Sequence, residues 1–164
     1  MYKTFHYTFS TYKRKKILNG NIVKELAIIF IDICREKELR LICQNILVEH
    51  VHLLVEKKAS DSNEYVMKMI KGISSRQFFK KNPSNRLEFR KLWGRGYRAE
   101  EIMGEQHLRH IIAYIEGQKV NGIDKRIKPI WKPRRTSTSL GAALSLPKGL
   151  VAGFQKRRIG SRDV

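Results

Sequence analysis

The octapeptide Glu49-His50-Val51-His52-Leu53-Leu54-Val55-Glu56 decides the reading of this chain. Val51, Leu53 and Val55 recur at every second position, the period of a β-strand with one face on a core. His50 and His52 then share the opposite face. Upstream, 39–48 is another β-rich run, and the two runs make a hairpin. Phe5, Tyr7 and Phe9 alternate with His6 and Thr8 in the same way, which predicts a strand near the N-terminus. Between them the period changes. Asn19-Gly20-Asn21 is turn and cap chemistry, and Ile22, Leu26, Ile29, Phe30 and Ile33 follow at 3.6-residue spacing, so 21–37 is an amphipathic helix.

After the hairpin, Ser60 or Asp61, with Glu64 in the first turn, opens a second helix through Phe79. Val66, Met69, Ile70 and Ile73 fit one face of it, and Pro83 closes the region. A fourth strand over 92–102 and a third helix over 104–119 complete the order β-α-β-β-α-β-α. That order predicts an α+β fold: a ferredoxin-like split βαβ sandwich with an antiparallel sheet and an added C-terminal helix.

Composition limits the function. The 164 residues suffice for one domain with a tail, and an apolar fraction of 41% excludes global disorder. Lys and Arg number 34 against 15 Asp and Glu, a net charge of +19 that attracts polyanions. No stretch approaches the roughly 20 apolar residues of a membrane span, and the first residues do not read as a signal peptide. Cys34 and Cys43 have neither zinc spacing nor a disulfide framework. A cytoplasmic, nucleoid-associated protein without a membrane partner is expected. The charge is uneven: residues 119–164 hold 12 basic and 2 acidic side chains, with Pro129, Pro133, Pro147 and the run Thr136-Ser137-Thr138-Ser139. A domain over 1–130 followed by a basic, weakly structured extension over 131–164 is expected.

Two imidazoles two residues apart on one strand face can hold one divalent cation together, or can be satisfied histidines on a polar sheet face. The last helix bears on this choice. At about 100° per residue with Tyr114 at zero, Gln118 lies at about 40°, His110 at about −40° and His107 near 20°, whereas Leu108, Ile111, Ile112 and Ile115 form a separate apolar stripe. Tyr114 and Gln118 are thus neighbours on a polar stripe. A phenolate beside a metal can attack a phosphodiester that the cation polarises. Phosphate chemistry favours Mg²⁺ or Mn²⁺ over Zn²⁺, and histidine ligands lean toward Mn²⁺.

EHVHLLVE (49–56) resembles the His-hydrophobic-His (HUH) motif of the single-tyrosine transposases of the insertion-sequence 200/605 type. AYIEGQ (113–118) resembles their Tyr-x-x-x-Gln helix. MIKGISSRQFFKKNP (69–83) and KLWGRGYRAEEIMG (91–104) are similar to the family's middle helix and fourth strand, in the same order. Such proteins usually have Pro-Asp before the first histidine; here Val48-Glu49 stands there. The resemblance covers about residues 1–120 and implies a transposase acting on single-stranded DNA with hairpins at element ends. Tyr114 would form a 5′-phosphotyrosine link and release a 3′-hydroxyl, and a second 3′-hydroxyl would resolve the link. His50, His52 and Gln118 would hold the metal. The family also implies a homodimer, with the tyrosine helix able to complete the partner subunit's site.

Lys13, Arg14, Lys15, Lys16, Arg76, Lys80, Lys81, Arg95 and Arg98 are candidates for phosphate contacts, and Trp93 and Tyr97 for stacking on bases or for core packing. Two other readings stay open: an HUH endonuclease that nicks and rejoins DNA without moving an element, and a non-enzymatic sheet that binds nucleic acid.

Overall fold

The computed structural model describes residues 1–83 and 90–117. Strand β1 (Tyr2–Ser10) is followed by helix α1 (Gly20–Glu36), the hairpin of β2 (Arg40–Ile46) and β3 (His50–Lys58), helix α2 (Asn63–Lys81), strand β4 (Arg98–Glu101) and helix α3 (Gly104–Gly117). The four strands form one antiparallel sheet in the order β2-β3-β1-β4, so both central strands carry the alternating pattern seen in the sequence. The expected order of elements and the α+β class are both present. The boundary expected at residue 130 and the extension over 131–164 lie outside the described residues.

One face of the sheet carries the main core. Phe5, Tyr7 and Phe9 of β1 and Val51, Leu53 and Val55 of β3 are buried against Leu26, Phe30 and Ile33 of α1 and Val66, Met67 and Ile70 of α2. The Tyr7 hydroxyl, inside this layer, donates to Asn63 Oδ1 at 2.7 Å and ties β1 to the first turn of α2. Helix α2 is capped by Ser62, whose Oγ accepts from the Tyr65 N–H at 3.0 Å, rather than by Ser60 or Asp61. Those two residues belong to the turn that leaves β3: the Asp61 N–H donates to the Lys58 carbonyl, and Lys57 Nζ donates to the Asp61 carbonyl.

The opposite face carries α3. Ile111 and Ile115 pack on Cys43 and Leu54, a second and smaller apolar cluster. A register shift in the β2–β3 ladder makes this possible: Leu41 pairs with Val55 and Cys43 with Leu54, with Ile42 as the extra residue. Strict alternation would put Leu41 and Cys43 on one face. The bulge sends Leu41 to the main core and Cys43 beneath α3. Burial pushes both Cys34 and Cys43 up to about 12, so neither is a reactive thiolate.

The fourth strand is shorter than expected from 92–102. Pairing starts at a bridge between Thr11 and Trp93, breaks, and resumes at Arg98. The break is the Gly94-Arg95-Gly96 excursion. A Cβ at Gly94 would sit 3.4 and 3.5 Å from the Thr11 and Ser10 carbonyl oxygens, ordinary van der Waals distances, and the Gly94 N–H donates to the Ser10 carbonyl at 2.9 Å. Lys71 Nζ on α2 then holds the excursion through the Arg95 and Gly96 carbonyls at 2.9 and 3.2 Å.

Candidate active site

Strand register brings the histidines of the site together. On the face turned toward α3, His52 pairs with Thr8 on one side and with Asn45 on the other, and His50 pairs with Ser10. His6 pairs with Leu54 and, across the other ladder, with Glu100. His6 is therefore the diagonal neighbour of His52, close enough for long side chains to touch. The two rings stack at 5.2 Å, and His6 Nε2 lies 2.9 Å from His52 Nδ1. The Thr8 hydroxyl joins the same group, 3.3 Å from His52 Nδ1.

Helix α3 brings Tyr114 over these rings. Its centroid is 5.8 Å from that of His52 and 6.3 Å from that of His6, both edge-on. The phenol is 47% exposed, so it stands beside the histidines and still faces the outside. The last turn is fastened by Asn45, whose Nδ2 donates to the Ile115 carbonyl at 2.7 Å and serves one of the carbonyls a helix end leaves without an intrahelical partner. The first turn is fastened by His107, whose Nε2 faces Glu100 Oε1 at 3.5 Å. Gln118 lies outside the described residues, and His110 lines the cleft on the exposed side of α3.

Two ring nitrogens in this group have no hydrogen-bond partner among the described residues. His50 Nδ1 and His52 Nε2 are buried and accept or donate no hydrogen bond among the described residues. Glu49 Oε1 is 4.0 Å from His50 Nδ1, too far for one. Burial also holds these rings neutral. It lowers His52 to about 4, with His6 and His50 adding to the effect, and it lowers His50 and His6, the latter against the pull of Glu100. A neutral imidazole with a buried, unpaired nitrogen is the form that ligates a cation. The donor set thus fits a divalent metal at two positions. Among the described residues no group of three or more His, Cys, Asp or Glu side chains is placed to complete it.

The group opens into a cleft of about 720 Å³, rimmed by Lys13, Arg14, Arg95 and Arg98. Arg14 also reaches Glu49 Oε1 at 2.8 Å, and that hydrogen bond holds the Glu49 carboxyl below the usual carboxylate range. Lys15 and Lys16 do not line the cleft. Arg76, Lys80 and Lys81 are on α2, which packs against the other face of the sheet. Trp93 is not available for base stacking: it is buried against Phe9 and Phe30, and its indole N–H donates to Ser74 Oγ at 2.9 Å. The Tyr97 hydroxyl donates to Glu64 at 3.1 Å, and its ring packs against the main core.

His6, Glu100 and Asn45 were not singled out from the sequence. Parity already put His6 on the histidine face, but its approach to His52, like that of Glu100 and Asn45, depends on cross-strand register.

An antiparallel four-stranded α+β sandwich, with a histidine pair on its open face and a tyrosine-bearing helix above it, is the class of domain that these elements define. The family model described as "Transposase IS200 like" matches residues 2–118, and the chain belongs to that family. Among solved structures, the chain is similar to a protein from Deinococcus radiodurans R1 described as a candidate transposase, with 26% identity and a TM-score of 0.59 over 74% of this chain and 95% of that one. It also shares the fold of a REP-associated tyrosine transposase solved with a REP hairpin, at 20% identity and a TM-score of 0.53, covering 69% of this chain and 64% of that one. No protein of curated function matches the chain. Among the described residues no helix is long and apolar enough to cross a membrane.

Proposed function

We propose that this transposase-family protein cleaves and rejoins single-stranded DNA at insertion-element ends, with Tyr114 as the nucleophile. The observation that carries the reading is the Tyr114 ring, edge-on at 5.8 Å to His52, whose buried Nε2 has no partner among the described residues. The half-exposed phenol can meet a phosphate that enters the cleft, while Lys13, Arg95 and Arg98 offer positive charge around it. The Tyr114 oxygen forms a bond to phosphorus as the 3′-oxygen of the preceding nucleotide leaves with a proton. This gives a 5′-phosphotyrosine and a free 3′-hydroxyl. Attack of another 3′-hydroxyl reverses the step, returns the phenol and conserves one phosphodiester throughout.

His50 and His52, with Gln118 as the third donor, would hold Mg²⁺ or Mn²⁺. When bound, such a cation polarises the scissile phosphate and steadies the leaving oxygen. The two histidines are kept neutral by burial, and α3 fixes the phenol above them. Because Tyr114 stands over the histidines of its own chain, the geometry supports a site completed within one subunit, also in a homodimer. A DNA hairpin is the substrate end we propose, in line with the hairpin held by the REP-associated neighbour.

The test is incubation with a labelled single-stranded hairpin and Mn²⁺, read as a covalent protein–DNA adduct on a denaturing gel. Tyr114→Phe is expected to remove adduct and cleavage while hairpin binding persists, since one hydroxyl adds little to a charge-driven interface. A cleaving Tyr114→Phe protein would remove Tyr114 as the nucleophile.

A further inference from the structure

The cleft holds one carboxylate that the mechanism above does not use. Glu100, on the edge strand β4, faces two histidines at once: Oε2 is 3.8 Å from His6 Nδ1, and Oε1 is 3.5 Å from His107 Nε2. The protons follow from these partners. His107 Nδ1 accepts the Met103 N–H at 3.2 Å, so in the neutral ring the His107 proton is on Nε2, toward Glu100. For His6 the 3.8 Å contact is too long for a hydrogen bond, but a lone pair on Nδ1 would face the carboxylate and be repelled, so electrostatics favour the tautomer with the proton on Nδ1 and Nε2 accepting. The only donor His52 can then offer at 2.9 Å is its own Nδ1–H. That leaves the His52 lone pair on Nε2, the buried nitrogen with no partner among the described residues.

We propose that Glu100 and His6 are positioning residues that fix the His52 tautomer, through a relay that runs from carboxylate to His6 to His52 and presents the Nε2 lone pair to a divalent cation. A metal-bound histidine is commonly oriented in this way by what its other nitrogen contacts. The relay has a second consequence. Through His107 the same carboxylate holds the first turn of α3, so one side chain sets both the ligand and the helix that carries Tyr114. The inference rests on the metal reading given above for the use of the lone pair, but the tautomer itself is a property of the metal-free chain.

The direct experiment is long-range proton–nitrogen NMR on ¹⁵N-histidine-labelled, metal-free protein at a pH where the imidazoles are neutral. His52 of the wild type is expected to carry its proton on Nδ1. Glu100→Lys is the reversing variant: an ammonium can only donate, so His6 Nδ1 must accept, His6 Nε2–H must donate, and the His52 proton must move to Nε2. His6→Phe removes the acceptor and is expected to leave His52 in a mixture. Glu100→Asp is expected to keep the wild-type tautomer. Mn²⁺ binding, measured by calorimetry, is expected to weaken by roughly 10- to 100-fold in Glu100→Lys and His6→Phe. Glu100 is on an edge strand at the rim, and circular dichroism checks that each variant is folded. The proposal is overturned if wild-type His52 carries its proton on Nε2, or if both Glu100→Lys and His6→Phe leave its tautomer unchanged. A wild-type protein that binds no Mn²⁺ would instead refute the metal reading, and the tautomer measurement would still decide the relay.

Discussion

Acid should destabilise the metal-free protein well above the carboxylate range, and His52 gives the effect a size. Burial lowers this imidazole from 6.5 to about 4 in the folded chain. Between those values the unfolded chain binds the proton and the folded chain refuses it, so stability falls as pH falls. At about pH 5 an unfolded His52 is nearly fully protonated and a folded one is about one-tenth protonated, which removes about 2 kcal/mol relative to about pH 7.5. His6 and His50 are lowered by burial as well, so their contributions have the same sign. The assay is urea unfolding in the presence of a chelator across this range, for wild type and for His52→Gln, which keeps a polar side chain without a titrating group. The variant is expected to lose about 2 kcal/mol less than wild type over the same interval. Identical pH slopes for the two proteins would refute the burial argument and, with it, the claim that His52 is held ready as a neutral ligand.

Other outcomes follow from the same contacts. Asn45→Ala removes the hydrogen bond to the Ile115 carbonyl and should cost about 1–2 kcal/mol in chemical denaturation, with slower single-turnover cleavage because the last turn of α3 carries Tyr114. Arg95→Ala and Arg98→Ala should each weaken hairpin binding and lower the slope of log affinity against log salt by about 0.7–0.9, whereas Arg76→Ala, across the sheet, should change it less. Truncation after residue 135 removes several of the 12 basic side chains in 119–164 and should flatten the salt dependence further, with the unfolding midpoint unchanged.

Much of this architecture was legible in the sequence because it rests on local periods. The alternation in β1 and β3 assigns each side chain to a face before any partner strand is known. The apolar spacing of α1 and the separate stripes of α3 predict which sides are buried, and Ile111 and Ile115 are indeed the buried residues of α3. Non-local features were hidden. Nothing local marks Ile42 as a bulge, yet that one residue sends Cys43 beneath α3 and lets the helix sit against the histidine face. The Gly94-Arg95-Gly96 break has no local period to mark it either; it is defined by where pairing with β1 stops at Trp93 and resumes at Arg98. His6 and Glu100 come from the two strands on either side of one ladder, so only the pairing of His6 with Leu54 and with Glu100 reveals that His6 borders His52 and that Glu100 stands behind His6.

The central claim is that Tyr114 becomes bonded to a DNA 5′-phosphate beside the histidine pair. Proteolysis of the trapped adduct, nuclease trimming of the DNA and tandem mass spectrometry locate that bond. The account predicts a single modified peptide with the nucleotide on Tyr114, lost in Tyr114→Phe and absent when Mn²⁺ is chelated. A nucleotide on any other residue, or cleaved DNA with a free 5′-phosphate and no protein attached, would contradict it.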